Sequence, residues 1–255
     1  MGVNVLSSES QLNGIPRSGK TVLITGATSG LGLATALLLA EQGAEVVMLG
    51  RDRTRGNFMR AEIAKCAADS VPILFLADLS SQAEIHRLAE KLHGSLSRID
   101  VLINNAAAMF ADREVTPEGL EKTFAINHLS PFILTHLVLD LIRAAPAGRI
   151  LTASSEFHSG TLDFSNLQGE RRYNWLGAYK RSKLCNILFT YELARRLAGT
   201  TITANCFSPG PTLTRLGDNL LGLPAALPWI VKRVPIAACV PGARGDNSRL
   251  RRVLA

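Results

Sequence analysis

Tyr179 and Lys183 stand four residues apart in "AYKRSKLCNILFTYELARRL", where apolar residues recur at helical spacing. Residues i and i+4 share one helix face. A phenol with its ordinary pKa near ~10 is a poor acid–base group at neutral pH. A nearby ammonium favours the phenolate and lowers that pKa. The pair could then give a proton to a carbonyl oxygen or take one back from an alcohol. Lys180, one residue on, points elsewhere. Ser154 and Ser155 close the apolar run "GRILTASS". Adjacent strand residues face opposite ways, so one of the two can aim into a site at the strand's end. Asn127 lies in "INHLSPF", a helical pattern in which Asn is mildly unfavourable. Chemistry of another kind sits near the amino end, in "TVLITGATSGLGLAT". Gly26 permits a tight turn, Gly30 lets backbone approach a pyrophosphate, and Gly32 allows close packing of helix on strand. Free N–H groups at the helix start bind phosphates. The spacing is G-x3-G-x-G, not the common G-x-G-x-x-G fingerprint.

These residues must be held by alternating strands and helices. Strands are predicted at Thr21–Thr25, Glu45–Gly50, Pro72–Asp78, Asp100–Ala106, Gly148–Ser155 and Thr201–Ser208. Helices are predicted at Leu33–Gly43, Thr54–Ala68, from a Ser81/Glu84 capping box to about His93, and from Gly177 to Leu197. A further long helix is predicted with Thr116 as cap and Pro117 at its first position. The strands are continuous apolar runs, which implies burial on both faces and a parallel sheet. The expected fold is α/β, a doubly wound parallel sheet of Rossmann type in a single domain. Ligands of such a sheet bind at the carboxyl ends of the strands.

The motifs, in their order along the chain, resemble those of the short-chain dehydrogenase/reductase family. Thr25-Gly26-x3-Gly30-x-Gly32 looks like its cofactor turn. "ADLS" places Asp78 where the family holds the adenine amino group. "NNAA" (Asn104–Ala107) resembles N-N-A-G, with Ala107 in place of glycine. Asn127, Ser155, Tyr179 and Lys183 match the catalytic residues, and the family position selects Ser155 over Ser154. "SPGPTLT" resembles the P-G-x-x-x-T segment that touches the nicotinamide. The resemblance covers roughly Lys20 to Thr214. "DFSNLQGE", "INHL" and "FTYELARRL" look like the branch of retinol dehydrogenases, WW-domain oxidoreductase and relatives of protochlorophyllide reductase. The resemblance implies cofactor contacts at Gly26, Thr28, Ser29, Gly30, Leu31, Gly32, Asp78, Leu79, Asn105, Ala106, Ala107, Tyr179, Lys183, Pro209, Gly210, Thr212 and Thr214. It also implies that Asn127 kinks its helix and holds a water linking to Lys183. NAD-selective relatives carry an acidic residue at the end of the second strand. Here Gly50 stands there and Arg51 follows, which favours a 2′-phosphate and hence NADP(H). Arg53 and Arg55 could assist.

The chain has 255 residues and a net charge of +7, but its basic residues are scattered and only 5% of residues are aromatic. A nucleic-acid surface is therefore not expected. Its four cysteines form no CxxC, no HExxH occurs, and no metal site is expected. His128 and His136 read as packing or surface residues. No apolar run reaches the ~20 residues of a membrane span, and "MGVNVLSSES" fits neither a signal peptide nor a myristoylation motif. A cytoplasmic location with no membrane anchor is the expectation. The domains read as residues 1–19, an extension; 20–214, the cofactor-binding catalytic domain; and 215–255, a substrate-loop region with a basic end. "PGARGDNSRLRRVLA" carries no strand-like run, so the family's seventh strand is expected to be missing, and with it dimer surface. The expected partners are a small carbonyl or alcohol and at most a second copy of the chain. A non-catalytic NADP(H)-binding sensor or scaffold is the competing reading.

Overall fold

The computed structural model describes residues 19–67, 70–158 and 161–209. Six strands, β1 (Thr21–Thr25), β2 (Glu45–Gly50), β3 (Ile73–Leu76), β4 (Val101–Asn104), β5 (Arg149–Ala153) and β6 (Thr203–Phe207), form one sheet in the order β3-β2-β1-β4-β5-β6. Every neighbouring pair is parallel. The chain winds outward one way through β3 and the other way from β4, so the order reverses between β1 and β4. That is where a doubly wound sheet opens a crevice at its carboxyl edge. Ile24 pairs with Ile103, which brings the turn after β1 beside the loop after β4.

The helices are α1 (Gly30–Glu41), α2 (Arg53–Cys66), α3 (Gln82–Ser95), α4 (Lys122–Phe124), α5 (Ser130–Leu137), α6 (Leu139–Arg143) and α7 (Trp175–Arg196). On one face of the sheet, Leu23, Val47, Leu102 and Ile150 pack with Leu88 and Leu92 of α3 and Leu134 of α5. On the other, Val22, Ile24, Met48 and Ile103 pack with Ala36, Leu39 and Ala40 of α1 and Ile63 of α2. Each such aliphatic side chain contributes ~1.5–3 kcal/mol on burial. These two layers make the sheet edge a rigid platform.

Three sequence expectations need correction. α1 begins at Gly30 rather than Leu33, so the glycine turn is itself the helix start. Thr116 caps no helix: residues 115–121 form a turn closed by a bridge between Val115 and Glu121, with Gly119 at φ 80. That left-handed glycine cannot continue a helix. The cap is Glu121, fully buried, whose carboxylate accepts from the Thr123 and Phe124 N–H groups at 2.7 and 2.8 Å. The capping box of α3 is half made. Ser81 Oγ accepts from Glu84 N at 3.4 Å, but Glu84 reaches back to Asp78 N at 2.7 Å. Residues 1–18, the boundary at 214, the segment 215–255 and the seventh strand lie outside the described residues.

Candidate active site

The turn between β1 and α1 is built around its glycines. Gly26 and Gly30 have φ of 68 and 53, values that side chains rarely adopt. Gly32 is needed for space, since a Cβ there would lie 2.4 Å from the Gly26 carbonyl oxygen and 2.6 Å from Asn105 Nδ2. Thr25 ties the turn to the β4 loop: its hydroxyl accepts from Asn105 N and Ala106 N, both at 2.9 Å. Asn105 Nδ2 returns a bond to the Thr25 carbonyl at 2.9 Å. The start of α1 is left open. Ser29 makes no side-chain cap bond, and no acid occupies the first turn. By contrast α2, α3 and α7 are capped by Asp52, Ser81 and Asn174. An uncapped helix start with bare glycine backbone fits the pyrophosphate of a dinucleotide.

At the rim of this crevice, Gly50 ends β2 against Thr28, whose Cγ2 would lie 2.7 Å from a Cβ at position 50. Arg51 follows it, exposed to solvent. Asp78 lies past β3, its Oδ1 held by Ser80 N and Oγ at 2.9 and 2.8 Å. Leu79 is buried beneath it. Ala107 is partly buried in the β4 loop, and Pro209 ends the described chain after β6. Gly210, Thr212 and Thr214 lie outside the described residues.

The acid–base candidates converge beyond β5. Tyr179, Ser182, Lys183, Asn186 and Thr190 are all buried on one face of α7. Ser154 is turned away, giving its hydroxyl to the Lys183 carbonyl at 3.1 Å. Ser155 is the one whose hydroxyl acts on the Tyr179 phenol, opposing the rise of its pKa. Ser155 Oγ also accepts from Phe157 N at 3.1 Å. Lys183 Nζ donates to the Ala153 carbonyl at 3.0 Å and lies 5.6 Å from the Tyr179 ring centre. Met109, Ala111 and Trp175 pack about the Tyr179 ring and form an apolar wall.

Asn127 sits in a π-helical turn, Ala125–Leu129, between α4 and α5. Its side chain is fully buried and holds both backbone groups of Ala108: Oδ1 accepts from Ala108 N at 2.8 Å, and Nδ2 donates to Ala108 O at 3.0 Å. Nδ2 also donates to Ser182 Oγ at 3.1 Å. Asn127 thus ties the β4 loop to α7. Its main-chain carbonyl accepts from Asn186 Nδ2 at 2.9 Å.

The titration of the pair differs from the sequence expectation. Burial raises the Tyr179 pKa above its ordinary value, and the Ser155 hydroxyl opposes that rise only in part. Lys183 is fully enclosed, and desolvation lowers it to about 8. Spacing places a cation near the phenol but cannot show how dry the site is. Spacing also did not single out Ser182 and Asn186. Their signal was polar side chains recurring at positions 179, 182, 183 and 186, one buried stripe of a helix.

A family model described as short chain dehydrogenase matches residues 20–221. The chain belongs to this family. It is similar to retinol dehydrogenase 14: 38% identical over 256 residues to the Mus musculus protein (91% of this chain, 77% of that one) and 42% over 217 residues to the Homo sapiens protein (79% and 64%). The chain thus spans less than two thirds of the human relative's length. It is 41% identical over 205 residues to a Streptomyces sp. (strain C5) protein named for daunorubicin C-13 ketoreductase activity, covering 80% of this chain and 69% of that one. A short chain dehydrogenase from Shigella flexneri 2a, solved in complex with NADP, matches with TM-score 0.66 and 26% identity over 92% of this chain and 94% of that one. These similarities place this short-chain dehydrogenase in a retinol dehydrogenase-like branch. Among the described residues no helix is long and apolar enough to cross a membrane.

Proposed function

We propose that this short-chain dehydrogenase is an NADP(H)-dependent oxidoreductase interconverting a carbonyl compound and its alcohol, with Tyr179 as general acid and base. The observation that carries the reading is the meeting of Tyr179, Ser155 and Lys183 at the carboxyl edge of the sheet, on the same rim as an uncapped glycine turn. Gly26, Thr28, Ser29, Gly30, Leu31 and Gly32 would hold the cofactor's phosphates. Arg51 would meet the 2′-phosphate, Asp78 with Leu79 the adenine, and Asn105, Ala106 and Ala107 the middle of the cofactor. Lys183 would bind the nicotinamide ribose, and Pro209, Gly210, Thr212 and Thr214 would border the nicotinamide. When bound, the cofactor supplies or accepts hydride.

The chain's own residues manage the oxygen. Tyr179, kept neutral by burial, gives its proton to the carbonyl oxygen as negative charge gathers there. Ser155 hydrogen-bonds that oxygen and orients it. The Lys183 ammonium, beside the ring, stabilises the phenolate left behind. Asn127 fixes the β4 loop against α7 and so sets the floor of the site. Met109, Ala111 and Trp175 exclude water from the Tyr179 side. The similar proteins' names point to an alcohol in one case and a ketone in the other, the two directions of one reaction. We place the protein in the cytoplasm, a reading that recovery in washed membranes would overturn.

Tyr179→Phe tests the chemistry. It removes the proton donor and little else, so NADPH should still bind while turnover of a carbonyl panel falls by ~10²–10⁴-fold. Near wild-type turnover in a folded variant would end this mechanism. Tight NADPH binding with no carbonyl reduced by the parent chain would favour the non-catalytic reading.

A further inference from the structure

Asn186 joins three elements of the site from beneath. It is 1% exposed, three residues after Lys183 on α7. Its Nδ2 donates to the Asn127 carbonyl at 2.9 Å and to the Ala153 carbonyl at 3.3 Å. The Ala153 carbonyl is the one that receives Lys183 Nζ at 3.0 Å. The Asn127 carbonyl is four residues before Pro131, which has no N–H to return to it. One amide nitrogen therefore serves two carbonyls, one of them the acceptor of Lys183 Nζ and the other in the turn that carries Asn127.

That arrangement fixes the rest of the amide. With Nδ2 turned to two carbonyl oxygens, Oδ1 must face the other way, and it meets His128 Nδ1 at 3.1 Å. An amide oxygen only accepts, so His128 must carry its proton on Nδ1. His128 is half-buried among the rings of Phe124, Phe132 and Phe189, at 5.2, 6.4 and 6.4 Å between centres. Apolar packing alone would be met by any ring here. The polar contact needs a donor at one defined atom.

We infer that Asn186 is a positioning residue for Lys183, and that His128 orients Asn186 by donating from Nδ1. The inference rests on the role proposed above for Lys183 in holding the cofactor. Asn186 keeps the Ala153 carbonyl and the Asn127 turn at fixed places, so that Lys183 Nζ stands where ribose and phenol can both reach it. His128 prevents the amide from flipping, which would turn its oxygen onto two carbonyl oxygens.

The test is a double-mutant cycle in NADPH affinity, which needs no reducible substrate. Asn186→Leu should weaken NADPH by about tenfold, since two buried acceptors lose their shared donor. Lys183→Ala should weaken it too, and the double variant should be little worse than Lys183→Ala, because both changes remove one interaction. Additive losses would overturn the inference. If Lys183→Ala leaves NADPH affinity unchanged, the reading beneath it falls first and takes this one with it. His128 supplies a second route should Asn186→Leu fail to fold. His128→Asn keeps a donor near the Nδ1 position, whereas His128→Gln places its amide near Nε2. NADPH affinity and kcat should drop in His128→Gln and largely recover in His128→Asn. Equal behaviour of the two, or full function in His128→Leu, would show that His128 only packs.

Discussion

Lys183 has a cost that its function must offset. Its ammonium is fully enclosed, has one hydrogen-bond acceptor among the described residues, the Ala153 carbonyl, and is lowered by burial to about 8 from 10.5. The folded value lies below the unfolded one. Between the two, the unfolded chain therefore binds more protons, and stability rises with pH. The penalty of about 3 kcal/mol is fully present below about pH 8 and fades as pH climbs towards 10.5. Lys183→Met should consequently raise the melting temperature at pH 7, by as much as about 6–12 °C at ~2–4 °C per kcal/mol. The gain over the parent should shrink through pH 8 to 10.5. Taking the difference between the two proteins removes the distant groups that titrate there. Differential scanning fluorimetry across that range decides it. A melting temperature lowered by Lys183→Met at pH 7 would mean that the ammonium contributes more through its bond to Ala153 than it loses on burial.

At the scale of elements, the turn between β1 and α1 is where space is tightest. Gly32→Ala would force the Gly26 carbonyl or Asn105 to move, and such overpacking costs ~1–3 kcal/mol. It should also weaken NADPH, because the displaced backbone is the proposed phosphate cradle. Gly94 in α3 is the control: nothing lies within 4 Å of a Cβ there, so Gly94→Ala should stabilise the helix by ~0.5–1 kcal/mol. Urea midpoints of the two variants should move in opposite directions. The same turn shows what the sequence made legible. Three glycines at fixed spacing between an apolar run and a helix pattern have few other uses, and the inner strands were readable as two-sided apolar runs, whereas the outermost ones depart from that expectation: β3 is only partly buried, and β6 leaves Thr203 and Asn205 exposed. The start of the helix after residue 115 was misread. Thr116, Pro117 and Glu118 imitate a capped helix start, while the true cap, Glu121, is a buried carboxylate whose role depends on the turn at Gly119. Asn186 was hidden for another reason. Its partners lie 59 and 33 residues away, and no local pattern records which carbonyls a buried amide will meet.

The whole molecule should register its cofactor as stability. A ligand that binds only the folded chain stabilises it by RT ln(1 + [L]/Kd), about 2.7 kcal/mol at a hundred times Kd. For a chain of this size that corresponds to roughly 5–10 °C in melting temperature. The two cofactors should differ because of the rim of the crevice. Gly50 offers no carboxylate to a ribose 2′-hydroxyl, and Thr28 stands where a side chain at that position would begin. The next residue, Arg51, is exposed beside it and can meet a 2′-phosphate through charge-assisted bonds. NADPH should therefore raise the melting temperature more than NADH at equal concentration. Arg51→Ala should reduce the NADPH shift and leave the NADH shift nearly unchanged, which separates loss of phosphate recognition from damage to the fold. Added salt should act in the same direction as the substitution, because an exposed guanidinium–phosphate contact is screened over about 8 Å at physiological ionic strength. Equal shifts for the two cofactors in the parent chain would show that Arg51 is only a solvated surface charge. The preference for NADP(H) would then be wrong, while the Tyr179 chemistry would stand untouched.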